Sequence, residues 1–192
     1  MNQANSRTSH SELIPKAGMY IFLGTEAMMF LTLLAAYVVL RFGMPSWPPA
    51  GAPDLPISLT SINTLLLLSS SVTIHLALKK LKKNQLPLFK RYLLFTFGLG
   101  CIFLLVQALE WGCLINHGLK LKTGAYGSCF FTVTGFHGLH VLAGILVLNF
   151  LIIQALKNRY HAQKHNQVTV GALYWHFVDL IWIVIFFSLY LI

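Results

Sequence analysis

Five apolar blocks occupy most of this chain, at residues 17–40, 57–78, 92–115, 128–156 and 173–192. Each reaches the roughly 20 residues that a helix needs to cross about 30 Å of hydrocarbon. In lipid, backbone N–H and C=O groups must be paired within the protein, so a spanning segment is either a helix or part of a closed barrel. The short alternating pattern of barrel strands is missing here. The sequence therefore predicts an all-α fold, an integral membrane bundle of five transmembrane helices forming a single domain over residues 1–192. Composition agrees: 10% of residues are charged, where a soluble domain carries about a quarter.

The connections are too short to fold independently. The first, residues 42–56, holds Pro45, Trp47, Pro48, Pro49, Gly51, Pro53 and Pro56, and a stiff, turn-rich cap is expected. Residues 1–16 are polar and lack the apolar core and small-residue cleavage site of a secretory signal, so no cleaved leader is expected. Arg7, Lys16, Lys79, Lys80, Lys82, Lys83, Lys90, Arg91, Lys157, Arg159 and Lys164 fall on one side of the bundle, against Arg41, Lys120 and Lys122 on the other. By the positive-inside rule the N-terminus is then cytoplasmic and the C-terminus outside. The net charge of +9 reflects those loops. No basic run is interleaved with surface aromatics as a single-strand binder requires, so no nucleic-acid partner is expected. Cys101, Cys113 and Cys129 form no CxxC pair and read as packing residues. No internal repeat is visible, and an odd number of spans fits inverted transporter repeats poorly.

Ionisable groups inside the blocks carry the functional information. Glu26, Glu110, Asp179, His137, His140 and His176 all lie there, with Gln107. An acid at the centre of a membrane helix costs about 2.5–3.5 kcal/mol on the insertion scale, so each ought to have a partner. His137 and His140 are three apart, share a helix face, and are followed on it by Gly144, a stripe suited to packing against another helix. At a rise of 1.5 Å per residue, Glu110 lies about 28 Å into its span and His137 reaches about the same height on an oppositely directed helix. The two are expected to approach each other, with Gln107 and Gly100 on the stripe of Glu110. Glu26 has no basic residue on its own helix and reads either as a proton relay or as a hydrogen-bonding group at a helix contact. His176 and Asp179, again three apart, could shuttle protons or pin the start of the last span. Thr60, Thr64, Ser71 and His75 form a polar stripe down the second span, suited to hydrogen bonds between helices. A metal on His137 and His140 would need further ligands that the chain does not offer in a matched position.

Taken together these residues resemble subunit III of the haem-copper respiratory oxidases, the cytochrome c and quinol oxidases, from about Gly18 to Ile192. Thr25-Glu26 with Phe30 is similar to the family's Ser-Glu helix, whose carboxyl reacts with carbodiimides. Trp47-Pro48-Pro49 resembles its outer loop, Asn63-Thr64 the following helix, and Leu105-Val106-Gln107-Ala108 with Glu110 the next. Tyr126-Gly127-Ser128 through Thr134-Gly135-Phe136-His137-Gly138-Leu139-His140-Val141 is the most specific block, and Tyr174-Trp175-His176-Phe177-Val178-Asp179 with Trp182 completes the series.

The resemblance implies an accessory subunit of a proton-pumping terminal oxidase in aerobic respiration, in the bacterial inner membrane. It implies no cofactor in this chain, haem and copper in the partner catalytic subunit I, a neighbouring subunit II, and bound phospholipids. Lipid, partner or proton-related roles fall on Glu26, Glu110, His137, His140, His176 and Asp179, and helix-contact roles on Asn63, Thr64 and Gln107. The family's long form has seven helices. The five-helix bacterial form is expected here, with the lipid cleft beside the two missing helices either open or filled by another chain. A stand-alone proton-conducting or transport protein is the alternative reading, and a membrane enzyme with its own metal is a third.

Overall fold

The computed structural model describes residues 2–191, with side chains from residue 13 onward. Helix α1 spans Asn2–Gly43, α2 Ile57–Lys82, α3 Leu86–Asn116, α4 Ala125–Leu156 and α5 Asn166–Phe186, the last continuing as a π-helical turn over Phe187–Leu191. Among the described residues five helices are long and apolar enough to cross a membrane. The expected count holds, while the helices outrun the apolar blocks. Lys79, Lys80 and Lys82 are still helical in α2, Lys90 and Arg91 already helical in α3, and α5 begins at Asn166. Backbone hydrogen bonding does not need an apolar side chain, so a helix can continue into the headgroup region. The polar run before the first block is likewise part of α1, with Pro15 inside it.

Three of the helices stop in the same way. Asn84, Gly118 and Asn158 have positive φ. The amides that follow them bond back five residues, Gln85 N–H to Lys80 O, Leu119 N–H to Leu114 O and Arg159 N–H to Gln154 O. This is the left-handed cap that uses otherwise unpaired carbonyls at a helix C-terminus, and Gly and Asn tolerate it best. The cap after α2 leaves only Lys83–Gln85 before α3, so these two helices form a tight antiparallel hairpin.

Helix α5 is the centre of the bundle. It packs on α1, α2 and α4, while α3 bridges α2 and α4 and α1 lies across α4 and α5. Of the most apolar stretch of each, 56% of α5 is buried inside the protein against 17% of α1. Lipid tails are as apolar as leucine, so dispersion contacts and hydrogen bonds, not water exclusion, must hold such a core together. Trp175 and Trp182 of α5, Phe103 of α3 and Phe130 of α4 are all fully buried. The cap at residues 42–56 folds back on the bundle, with Trp47 edge-on between Tyr37 and Tyr126.

Candidate functional site

The interior is built around the two tryptophans of α5, one heptad apart. Gly100 on α3 and Gly144 on α4 together make the slot for Trp175. A Cβ at Gly100 would lie 2.6 Å from the indole Cη2, and one at Gly144 2.9 Å from Cε3. In the sequence both glycines stand on polar stripes, Gly100 on that of Glu110 and Gly144 on that of His137 and His140. What they accept is an aromatic ring, whose Nε1 donates to Ser70 Oγ of α2 at 2.9 Å. One heptad further on, Trp182 Nε1 donates to Thr64 Oγ1 at 2.9 Å. Asn63 on the same face of α2 donates to the Phe103 carbonyl of α3. Asn63, Thr64 and Ser70 thus each bond to another helix; Ser70 carries no periodic signal in the sequence, lying amid Ser69 and Ser71.

Glu110 is fully buried and accepts three hydrogen bonds. Tyr190 Oη donates at 2.6 Å, Thr60 Oγ1 at 3.1 Å and Gln107 Nε2 at 3.4 Å. The expected approach of Glu110 to His137 is therefore not a bond between them. His137 is equally buried, stacks on Trp182 at 4.9 Å, and meets Phe30 and Phe103 edge-on. Neither of its ring nitrogens has a hydrogen-bond partner. Trp182 also lies 6.3 Å from the Tyr190 ring, so the two ionisable groups flank one aromatic cluster without touching. Rise per residue gives depth only and leaves the rotation about each axis undetermined.

The close acid–histidine pair is a different one. His140 Nε2 lies 2.8 Å from Glu26 Oε2, joining α4 to α1, with both side chains about one-fifth exposed or less. His140 Nδ1 faces the Phe136 carbonyl one turn back, and Tyr174 Oη donates to the His140 carbonyl. Glu26, with no cation on its own helix, thus has its partner on another. Counting rise per residue from the ends of the apolar blocks does not bring Glu26 and His140 to one height, so the pairing was not legible from depth. His176 and Asp179 do not bond each other. His176 Nδ1 bonds Ser71 Oγ of α2, and neither carboxylate oxygen of Asp179, itself 3% exposed, has a hydrogen-bond partner. Of the α2 stripe, Thr60, Thr64 and Ser71 reach across to another helix, while His75 is exposed.

Among the described residues no group of three or more His, Cys, Asp or Glu side chains is placed to hold a metal ion, and the three cysteines are unpaired. The geometry defines a class of protein, a polytopic membrane protein whose buried polar groups bond mostly between helices.

Comparison with known proteins gives the family. The family model described as cytochrome c oxidase subunit III matches residues 3–192. The chain is 40% identical over 176 residues to cytochrome c oxidase subunit 3 of Thermostichus vulcanus, covering 91% of this chain and 86% of that one. It is 37% identical over 191 residues to the Synechocystis protein of the same name, covering 99% and 80%, and 36% identical over 178 residues to that of Corynebacterium diphtheriae, covering 91% and 86%. The chain belongs to the cytochrome c oxidase subunit III family, as a multi-pass protein of the bacterial membrane.

Proposed function

We propose that this chain is seated beside the haem- and copper-bearing subunit I of a proton-pumping cytochrome c oxidase, with subunit II in the same complex, and that it sustains proton uptake and turnover there without carrying a redox centre. The supporting observation is what the interior does with its polar groups. Tyr190, Thr60 and Gln107 all donate to Glu110, and both buried tryptophan N–H groups bond hydroxyls of α2. Apart from Gln107, which shares α3 with Glu110, those groups bind one helix to another.

In this reading the end of the bundle that carries Lys79–Lys83, Lys157 and Lys164 faces the cytoplasm, where protons are taken up. Phospholipids pack against the sparsely covered α1. Glu26 and His140, at the partly exposed α1–α4 contact, form the site that touches lipid or the partner. His176, bonded to Ser71, ties the cytoplasmic half of α5 to α2.

The test is affinity purification of the chain from native membranes in mild detergent, with mass spectrometry of its companions and a haem spectrum of the product. A haem-bearing oxidase polypeptide in stoichiometric amount is the expected result, and the chain stripped of it should be colourless and unable to reduce oxygen. A haem spectrum from the isolated chain, or proton leakage in liposomes that hold it alone, would overturn the proposal.

A further inference from the structure

Where α1 ends and α2 and α4 begin, the cap at residues 42–56 borders a cavity of about 340 Å³. Its wall includes Tyr37 and Arg41 of α1, Trp47 and Asp54 of the cap, Tyr126 of α4, and Tyr190 beyond α5. The rings stiffen it, because Trp47 stands edge-on between Tyr37 and Tyr126. Helix ends of this kind lie in the interfacial layer of a bilayer, where tyrosine and tryptophan gather. In the orientation proposed above this is the outer leaflet.

Two polar groups on this wall lack partners and remain within reach. Tyr126 is 5% exposed. Its hydroxyl makes no hydrogen bond, yet it is not among the polar atoms that packing seals off, so the opening left to it is the cavity that it lines. Asp54 is exposed, and its carboxylate forms neither an ion pair nor a hydrogen bond among the described residues, although it lies close enough to the Tyr126 phenol to act on it electrostatically. On the same wall Arg41 donates to Tyr37 Oη at 3.3 Å, and a guanidinium with five N–H donors can serve several acceptors at once. The cavity therefore presents a cation and an anion that are not paired with each other.

That charge pattern selects the ligand. An inorganic anion is drawn to Arg41 and repelled by Asp54, and a lysine from another chain meets the reverse. A molecule carrying both signs satisfies both groups. The wall also turns apolar at Ile57 and Leu191, which are 46% and 49% exposed, so a tail attached to such a molecule continues along apolar surface. The volume is at the low end of small-molecule sites, about 300–1,000 Å³, enough for a polar headgroup and too little for its acyl chains.

We infer that this cavity binds the headgroup of a zwitterionic phospholipid, phosphoethanolamine or phosphocholine. The phosphate is received by Arg41 and Tyr126 Oη, and the ammonium is held by Asp54 against the aromatic faces. The site is separate from the Glu26–His140 contact and does not depend on the chain being an oxidase subunit.

The experiment takes the full chain from native membranes with whatever accompanies it, delipidates it partly, and incubates it in mixed micelles containing phosphatidylethanolamine or phosphatidylglycerol with the same acyl chains. Native mass spectrometry then reads the retained lipid. The wild type should keep phosphatidylethanolamine in preference. Asp54→Asn and Tyr126→Phe should each lower its retention by about tenfold, the worth of one hydrogen bond to a charged group, and Asp54→Lys should make phosphatidylglycerol the retained lipid. A phosphatidylethanolamine with a photoreactive headgroup should label the cap at residues 42–56. Unchanged retention in the Asp54 variants, preference of the wild type for phosphatidylglycerol, displacement of the lipid by inorganic phosphate alone, or labelling confined to other surfaces would overturn the inference. Should Tyr126→Phe fail to fold, the Asp54 variants, altered at an exposed residue, decide alone. A preparation without haem that still shows this lipid selectivity defeats the subunit assignment and upholds the site, whereas a haem-bearing preparation without the selectivity defeats only the site.

Discussion

Replacing Gly100 by alanine should destabilise the bundle, although alanine is the better helix former. The added Cβ would stand 2.6 Å and 2.9 Å from Cη2 and Cζ2 of Trp175, where carbon atoms settle at about 3.5–4.0 Å. Something must move by about 1 Å. The indole cannot simply yield, because its opposite part is set against Gly144 at a similarly short would-be Cβ distance of 2.9 Å, and its Nε1 is tied to Ser70. Overpacking of this kind costs about 1–3 kcal/mol, and the helix propensity gained over glycine returns up to about 1 kcal/mol. The net expectation is a loss of about 1–2 kcal/mol. Thermal unfolding in detergent, followed by circular dichroism, measures it. The double variant Gly100→Ala/Trp175→Phe supplies the control. Phenylalanine lacks the outer ring that meets the new methyl group, so the two changes should couple by at least about 1 kcal/mol in the stabilising direction. A neutral Gly100→Ala, or additive effects in the cycle, would refute the slot.

Other perturbations test other contacts. A double-mutant cycle on Glu26→Ala and His140→Ala should give a coupling of about 0.6–1.7 kcal/mol, the range for hydrogen bonds between membrane helices, and α1 should become the first helix cleaved by protease. In the assembled oxidase, Glu26→Ala should leave the first turnovers intact and shorten the enzyme's working life, read as the decay of oxygen consumption with time. Tyr190→Phe removes the shortest of the three bonds to Glu110 and should cost about 1–3 kcal/mol, more than Thr60→Val, by the same thermal assay. Tyr160, in the connection before α5, is buried and donates to Gln167 Oε1, and burial pushes its phenol up to about 12. The folded state thus favours the neutral phenol, a contribution present below the unfolded value of about 10 and lost as pH rises through 12. Tyr160→Phe should flatten the stability loss in that window.

The extent to which the sequence was readable follows from what each signal encodes. Block length and apolarity report whether a helix crosses the membrane, so five spans could be read directly, but they do not report hydrogen bonding. Helix ends were accordingly placed short wherever Lys79–Lys82 or Leu86–Arg91 carried α2 and α3 beyond the hydrocarbon. Rise per residue gave the height of Glu110 and His137 and could not give azimuth, which is why Glu110 meets Tyr190 instead. Glu26 and His140 meet across 114 residues of sequence, and neither carries a local sign of the other. The family motifs were visible because they are strings of adjacent residues. The contacts they make, such as Gly100 and Gly144 on either side of Trp175, are assembled only when the helices pack.

Helix α5 follows the other four in the order of synthesis. Until it is threaded into the bilayer, Ser70 and Thr64 lack their indole donors, Glu110 lacks its phenol, and Gly100 and Gly144 face an empty slot. The first four helices can be inserted one after another, yet the interior cannot close until α5 has left the ribosome. Nascent chains of this protein should therefore remain loose assemblies, open to chaperones and quality-control proteases, until α5 arrives to lock the rest.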